Sequence, residues 1–408
     1  MSAVNPLIVP IIVLIGLYLA HVLNQSRSKN TEPMVGGRFE TIDGLRGYLA
    51  FFVFLHHSSV WYFYIQTGRW EIPPSTLYVM LGQGGVTMFF MVTSFLFVTK
   101  ILDSRSTQIN WFDFFAMRVA RLVPVYLLSV LTLFILVAIR SNWQINVDLD
   151  TLLNTIYKWM LFTIAGKPDV NGIARTSIML ASVTWSLPYE WYFYFCLPLI
   201  SIVLFARVNV GAIIFSAVAL YTMLEYWAPL GFVLQSFVGG MVAAFIVRSQ
   251  RLKNLLSGFW FSVASLFLLG AVSFLPTAFD PLALLLLSLV FVFFAAGNSF
   301  FGMLKLTSAR WMGELSYGIY MLHGLVLFVA FFFVVGYEQV KVLQPFYYWC
   351  LVAAITPVVI LVAHIVHLSV ERPLMRSSKA LLRNRKPVFQ VIRAKIYQPI
   401  LKRFSCRS

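Results

Sequence analysis

The chain has 408 residues, 60% of them hydrophobic and 11% charged. A water-soluble chain of this size carries about a quarter charged residues, so the composition excludes an ordinary soluble enzyme and describes a helical bundle that crosses a membrane many times. The net charge of +16 does not point to nucleic acid. Arg372, Arg376, Lys379, Arg383 and further basic residues follow the last apolar run against Glu371 alone, and such a segment reports topology and contact with anionic lipid heads. The three cysteines form no CxxC pair, so neither a disulfide framework nor a zinc site is expected.

Residues 7–23 are an apolar run without a basic start or a cleavage site, and Arg27 and Lys29 follow it. That pattern marks an anchor helix with its N-terminus outside. The basic connector 24–43 is then cytoplasmic. A helix is expected at 44–64, a loop with Gly68, Pro73 and Pro74 after it, and a span at 77–101 in which Gly84 and Gly85 allow close helix approach. A polar turn leads to an amphipathic stretch, 111–121, and Pro124 opens a separate span ending near 138. The long connector 140–182 carries an aromatic island, 157–162, expected on the membrane surface. Further spans are expected at 183–205, 211–227, 232–247, 260–274, 281–301, 315–335 and 347–368. Eleven spans put Arg27 with Lys29, Arg118 with Arg121, Arg248 with Lys253, and Lys305 with Arg310 on the side of the basic tail, as the positive-inside rule requires. The expected division is 1–37 as anchor helix and connector, 38–373 as one membrane domain, and 374–408 as a basic cytoplasmic tail.

Titratable groups inside apolar runs are costly and need a reason. Arg46 and His57 lie eleven residues apart, within about 20° of one helix face and about 16 Å apart along it. Asp43 sits at the foot of the same helix. His57 is either a general base toward a hydroxyl or a neutral imidazole hydrogen-bonded between helices. Arg46 either binds an anion entering from the cytoplasm, or snorkels and pairs with Asp43. Arg118 and Arg121 share a face, and two guanidinium forks suit a phosphorylated ligand or lipid heads. Glu190 is placed about 10 Å below the outer surface by helical rise. Trp185, Trp191 and Tyr194 around it suit sugar faces or an interfacial belt. His323 is a second polar group of the same cavity or a satisfied packing residue. No carboxylate is counted beside His364 and His367, which are read as structural, and no metal centre is expected.

Taken together, these segments resemble acyltransferase family three, a family of integral-membrane O-acyltransferases. The order is DGLRG from Asp43 with His57 after it, GVTMFFMVTSFL from Gly85, RVARLVPVY from Arg118, Trp185 with Glu190 and Tyr194, LSYGIYMLH ending at His323, and Glu371-Arg372-Pro373. The resemblance implies a ten-helix bundle, to which the first helix here is extra. It implies acetyl-CoA as the acyl donor from the cytoplasm, with no permanently bound cofactor. It implies an acceptor outside, a surface glycan or lipid-linked oligosaccharide, with the O-antigen-acetylating branch of lipopolysaccharide modification nearest. His57 and Arg46 stand as the family's Arg/His pair, Arg118 and Arg121 as its inner-loop arginines, Glu190 as its acidic site residue. Ser94 stands where the family usually has Gly, and Pro188-Tyr189 interrupts the usual run before the Glu.

The expectation is a multi-pass O-acetyltransferase of the bacterial inner membrane, with the C-terminus cytoplasmic. Arg118, Arg121 and Arg46 would hold the CoA phosphates, His57, Arg46 and Glu190 would serve catalysis with Asp43 in support, and Trp185, Tyr194 and His323 would contact the substrate. A transporter or flippase of a lipid-linked glycan would also carry intramembrane His, Glu and Arg, but no paired broken helices or internal symmetry appear. A non-catalytic glycan-binding partner is the third reading; consumption of a thioester separates the enzyme from both.

Overall fold

A computed structural model describes residues 2–28, 39–104 and 107–384. Lys29, Arg38 and the tail from 385 onward lie outside the described residues. Among the described residues there is no strand beyond one isolated bridge, Val170 to Ile173. The protein is an all-α polytopic membrane protein.

Each expected apolar segment is helical. In chain order the helices are α1 (Ile8–Ser28), α2 (Glu40–Thr67), α3 (Thr76–Asp103), α4 (Trp111–Arg140), α5 (Leu149–Met160) and α6 (Leu187–Val203). They continue as α7 (Val210–Tyr226), α8 (Gly231–Leu234), α9 (Ser236–Ile246), α10 (Gln250–Leu256), α11 (Phe259–Val272) and α12 (Pro281–Ala295). The last three are α13 (Thr307–Val329), α14 (Tyr337–Lys341) and α15 (Pro345–Val366). Among the described residues five helices are long and apolar enough to cross a membrane unaided: α1, α3, α4, and α13 and α15 with their extensions. The α8–α9 segment joined to α10 forms a further candidate, bent by 116°. Helix α2 is as long as α3, but it carries Glu40, Asp43, Arg46, His56 and His57. Most of its residues are buried by neighbours, which is how so polar a helix sits inside an apolar bundle.

Its main neighbour is α13, and the two run parallel. Their contact is backbone against backbone. A Cβ on Gly44 would lie 1.9 Å from the carbonyl oxygen of Leu304, one on Gly47 2.3 Å from that of Ala309, and one on Gly313 1.9 Å from that of Asp43. The glycines of DGLRG therefore serve the α2–α13 seam. Arg310 closes the foot of the pair on Glu40 at 3.2 Å. The extra helix α1 lies against α13 and α15, with Gly16 seated on the ring of Phe51. Its N-terminal end is tied to the head of the bundle, where Tyr78 and Trp349 donate to the carbonyls of Asn5 and Ala3 at 3.1 and 2.9 Å. Ser94 donates across to the Phe237 carbonyl at 2.6 Å, at the start of α9.

Two expectations are corrected. Helix α4 runs unbroken through Pro124; the amphipathic stretch is its foot end, not a separate element. Proline removes one intrahelical bond, here the one to the Ala120 carbonyl, which packed neighbours tolerate inside a bundle; beside it Tyr317 of α13 donates to the Leu122 carbonyl at 2.8 Å. The aromatic island does not lie on the surface as a unit. Tyr157 is exposed, but Trp159 is fully buried, its indole donating to the Pro168 carbonyl at 2.9 Å. Phe162 stacks on Tyr126 at 4.2 Å. The segment beyond it enters the bundle, so that Thr176, Leu180, Ala181 and Thr184 are buried.

Gly313→Ala is expected to lower the melting midpoint in detergent, by an overpacking cost of about 1–3 kcal/mol or more. Gly270→Ala, where a Cβ meets open space, is expected to leave it unchanged or raise it. Equal midpoints for the two variants would mean that the α2–α13 seam is not a close contact.

Candidate functional site

The seam places the charges. On α2, Arg46 sits just above Gly44 and turns to α13, where its Nη2 donates to Ser316 Oγ at 2.9 Å. The alternative pairing of Arg46 with Asp43 does not form: among the described residues no ion pair joins them, and Asp43 lines an adjoining cavity with Lys100 and Asp103. From α4, Arg118 and Arg121 enter the same space as Arg46; from α6, Glu190 and Tyr194 do so. These five side chains line one cavity of about 800 Å³ of atom-free space, counting its mouth. Apolar walls come from α3, with Thr93 the polar exception.

Glu190 is held by two hydroxyls, Tyr194 at 3.3 Å and Thr93 at 3.5 Å. It makes no salt bridge of 4 Å or less among the described residues. Arg118 lies over the ring of Phe97, 5.0 Å from its centroid, and its buried Nε has no hydrogen-bond partner. Three guanidinium groups against one carboxylate leave an excess of positive charge in a desolvated space. A buried donor without an acceptor is costly, and an anionic ligand with several oxygens satisfies both deficits. The sequence reading put the arginines at the inner face and Glu190 with its aromatics near the outer one. The structure brings Arg46, Arg118, Arg121, Glu190 and Tyr194 into a single cavity and leaves Trp185 out of it, packed edge-on against Tyr189 and Phe279.

The head end of this cavity is closed by residues that the sequence did not single out. Tyr320 and Ser186 bond through their hydroxyls at 2.7 Å, and Tyr320 also donates to the Val183 carbonyl at 3.1 Å. Tyr320 precedes His323 by three residues, so it shares that helix face; the spacing was the available signal. Its ring meets the His323 ring with centroids 6.4 Å apart.

Behind Tyr320 lies a histidine pair. His57 Nδ1 is 3.0 Å from His323 Nε2. Each Nδ1 also faces a carbonyl of its own helix: Val53 at 3.0 Å for His57 and Ile319 at 2.9 Å for His323. Carbonyls accept only, so the partners assign a proton to both Nδ1 atoms. His323 Nε2 is then an acceptor for His57 Nδ1–H. His57 Nε2 keeps its lone pair. A proton added there leaves every bond of the network in place, whereas one added to His323 Nε2 would set two donors face to face. His57 is thus the proton acceptor of the pair and His323 the group that orients it. His56 points elsewhere, onto the Tyr78 carbonyl at 2.8 Å, with its ring filling the space left by Gly82.

One reading of the last span is also corrected. His367 does have a carboxylate beside it, Glu371 at 3.0 Å, both buried, and the rings of His364 and His367 flank Trp311. No group of three metal-binding side chains forms among the described residues.

The cavity's charge has a direct test. Inorganic pyrophosphate is expected to raise the melting midpoint of the solubilised protein, with stabilisation of about 2.7 kcal/mol at one hundred times Kd. The double variant Arg118→Gln, Arg121→Gln is expected to abolish that rise. An equal rise in both proteins would place phosphate binding elsewhere.

Compared with known proteins, the chain matches the family model described as an acyltransferase domain over residues 39–364. That span begins beside the foot of α2 and ends in α15, so it includes the cavity and both members of the histidine pair. No curated protein and no solved structure matches the chain. The protein is a membrane acyltransferase and belongs to acyltransferase family three.

Proposed function

We propose that the protein is an acyl-CoA-dependent O-acetyltransferase that moves an acetyl group from cytoplasmic acetyl-CoA to a hydroxyl of an extracytoplasmic glycan, such as lipopolysaccharide O-antigen. The observation that carries this reading is the succession along one axis: an anion-seeking cavity, then a tyrosine–serine barrier, then a histidine pair with one free lone pair. Acetyl-CoA joins a polyphosphate to a flexible arm that ends in a thioester, and that sequence of chemistry fits the succession. Arg118, Arg121 and Arg46 hold the phosphates. The arm passes Tyr320 and brings the thioester carbonyl to His57.

The acceptor hydroxyl gives its proton to His57 Nε2 as its oxygen attacks the thioester carbon. The tetrahedral intermediate collapses with cleavage of the carbon–sulfur bond. His57 returns the proton to the departing sulfur, so that an ester and the free thiol of CoA leave and the site is restored. His323 accepts from His57 Nδ1–H throughout and favours the imidazolium. Glu190 balances the arginines and, through Tyr194 and Thr93, fixes the cavity wall.

The proposed setting is a bacterial inner membrane, with the foot of the bundle cytoplasmic, the N-terminus outside and the tail inside. The basic helical extension beyond α15 carries Arg372, Arg376, Lys379 and Arg383 at that foot, which suits anionic lipid.

The test is the O-acetyl content of surface glycans in cells carrying the wild type or variants expressed to equal level. His57→Ala is expected to lower transfer by about 10²–10⁴-fold. His323→Ala is expected to cost less, because His57 keeps its lone pair. Full acetylation with His57→Ala would exclude it as the base, and no acetylation with the wild type would exclude a glycan acceptor.

A further inference from the structure

The acceptor needs a way to His57 that does not pass the arginine cavity, since in the proposed reaction the donor occupies that cavity and its arm takes the passage beside Tyr320. The head of the bundle offers one. A second pocket lies there, lined by Arg69, Trp70, Glu71, Asp169, Arg175 and Ser177. It forms where the α2–α3 loop meets the loop before α6, and Arg175 ties the two by donating to the Gly68 carbonyl. Asp169 is fixed by the Thr176 amide at 3.0 Å.

Trp70 belongs to this pocket and also to the histidine site. Its ring lies nearly parallel to that of His57, at 15°, with centroids 6.4 Å apart. Trp61 and Tyr64 hold it edge-on from α2, at 5.1 and 5.5 Å. A single indole therefore separates the pocket from the proposed base. The opposite wall is fixed to the same machinery. Arg175, Ala181 and Ser182 adopt left-handed backbone, with φ of 58°, 49° and 56°, a conformation that non-glycine residues keep only where the surroundings impose it. At Ala181 the surroundings are α13: a Cβ on Gly324, the neighbour of His323, would lie 2.4 Å from the Leu180 carbonyl carbon and 2.5 Å from the Ala181 nitrogen.

The lining chemistry selects a ligand class. Two arginines and two carboxylates give no net formal charge, which disfavours a polyanion. They present forked donors and paired acceptors, the complement of adjacent hydroxyls, next to an aromatic face that suits the C–H side of a sugar ring. We propose that this pocket is the acceptor site, that it takes a neutral sugar unit of a glycan, and that Trp70 is both the platform for that sugar and the door to His57. The inference rests on the acyltransferase reading above and moves sugar recognition away from Glu190 and Trp185.

The experiment uses single cysteines in the full-length protein, with Cys196, Cys350 and Cys406 changed to Ser. Ser177→Cys and Glu71→Cys place a thiol in the pocket, and Lys341→Cys serves as a control outside its lining. Intact cells are treated from outside with a membrane-impermeant sulfonated methanethiosulfonate. Labelling is read by mass, and new glycan O-acetylation is compared with the same variant untreated. The expected result is that labelling at either pocket position lowers acetylation about tenfold or more, while labelling at 341 does not. Binding of CoA to the labelled, solubilised protein is expected to persist. A labelled pocket with undiminished acetylation overturns the proposal, as does a pocket that the impermeant reagent does not reach. If one cysteine variant is inactive before labelling, the other decides. Absence of glycan acetylation in untreated wild type excludes a glycan acceptor, the part of the acyltransferase reading on which this inference rests, and this inference with it.

Discussion

The site depends on a contact between two stretches of backbone. Helices α2 and α13 are far apart in sequence, run parallel, and approach so closely that Gly47 and Gly313 have no room for a side chain, nor has Gly44 against Leu304 in the turn before α13. The pair runs parallel, and its pairing shifts by about one helical turn between foot and head, from 270 residues apart at Arg46 to 266 at His57. Asp43 meets Gly313, Arg46 meets Ser316, and about two turns farther along α13 His57 meets His323. In a bilayer there is no hydrophobic drive between helices, so close van der Waals contact and interhelical hydrogen bonds must supply the association. The glycines provide the first and the polar pairs the second. The same residues therefore assemble the bundle and set the distance between the arginine and the base.

The charged cavity has the opposite energetic character. Three guanidinium groups and one carboxylate taken from water are expensive, and imperfect pairing leaves the expense uncompensated. Arg118 Nε is unpartnered, and Glu190 is held by hydroxyls rather than by a cation. Such an arrangement is poor as a stabilising network and good as a site that a polyanionic ligand completes. The surrounding packing absorbs the cost: Arg118 lies over Phe97, whose ring is in turn packed edge to face with Phe114 and Tyr194.

The loop before α6 shows how the head of the bundle is made specific. Chain that enters an apolar interior without forming a long helix must satisfy its backbone groups locally. Here tight turns at Thr176–Leu180 and Val183–Ser186 do so, with side-chain help from Thr176, Asp169 and Tyr320. The reward is a rigid wall that carries Ser186 to Tyr320 on one side and Asp169 to the solvent-facing pocket on the other.

Much of this was legible in the sequence. Long uncharged runs fix the membrane class, because lipid leaves a backbone no partner but its own helix. The positions of Arg46, His57, Arg118, Arg121, Glu190 and His323 in those runs mark a site, because charge and imidazole at that depth are costly. The order of the motifs identifies the family. Composition and period, however, describe single helices. They do not say which helices touch, so helical rise places Glu190 toward the outer end and the arginines toward the inner, although the fold brings them into one cavity. They do not reveal that His323 bonds to His57, since the two are 266 residues apart and the contact exists only through the glycine seam. A proline in mid-run reads as a boundary, yet α4 continues through Pro124 because its neighbours are packed around it. Trp159 and Trp185 look alike in sequence; tertiary structure buries the first as core and sets the second aside from the cavity. What the chain determines alone is the chemistry each segment carries and the cost of burying it. Which of those groups meet is decided by helix packing, a long-range property that no local pattern records.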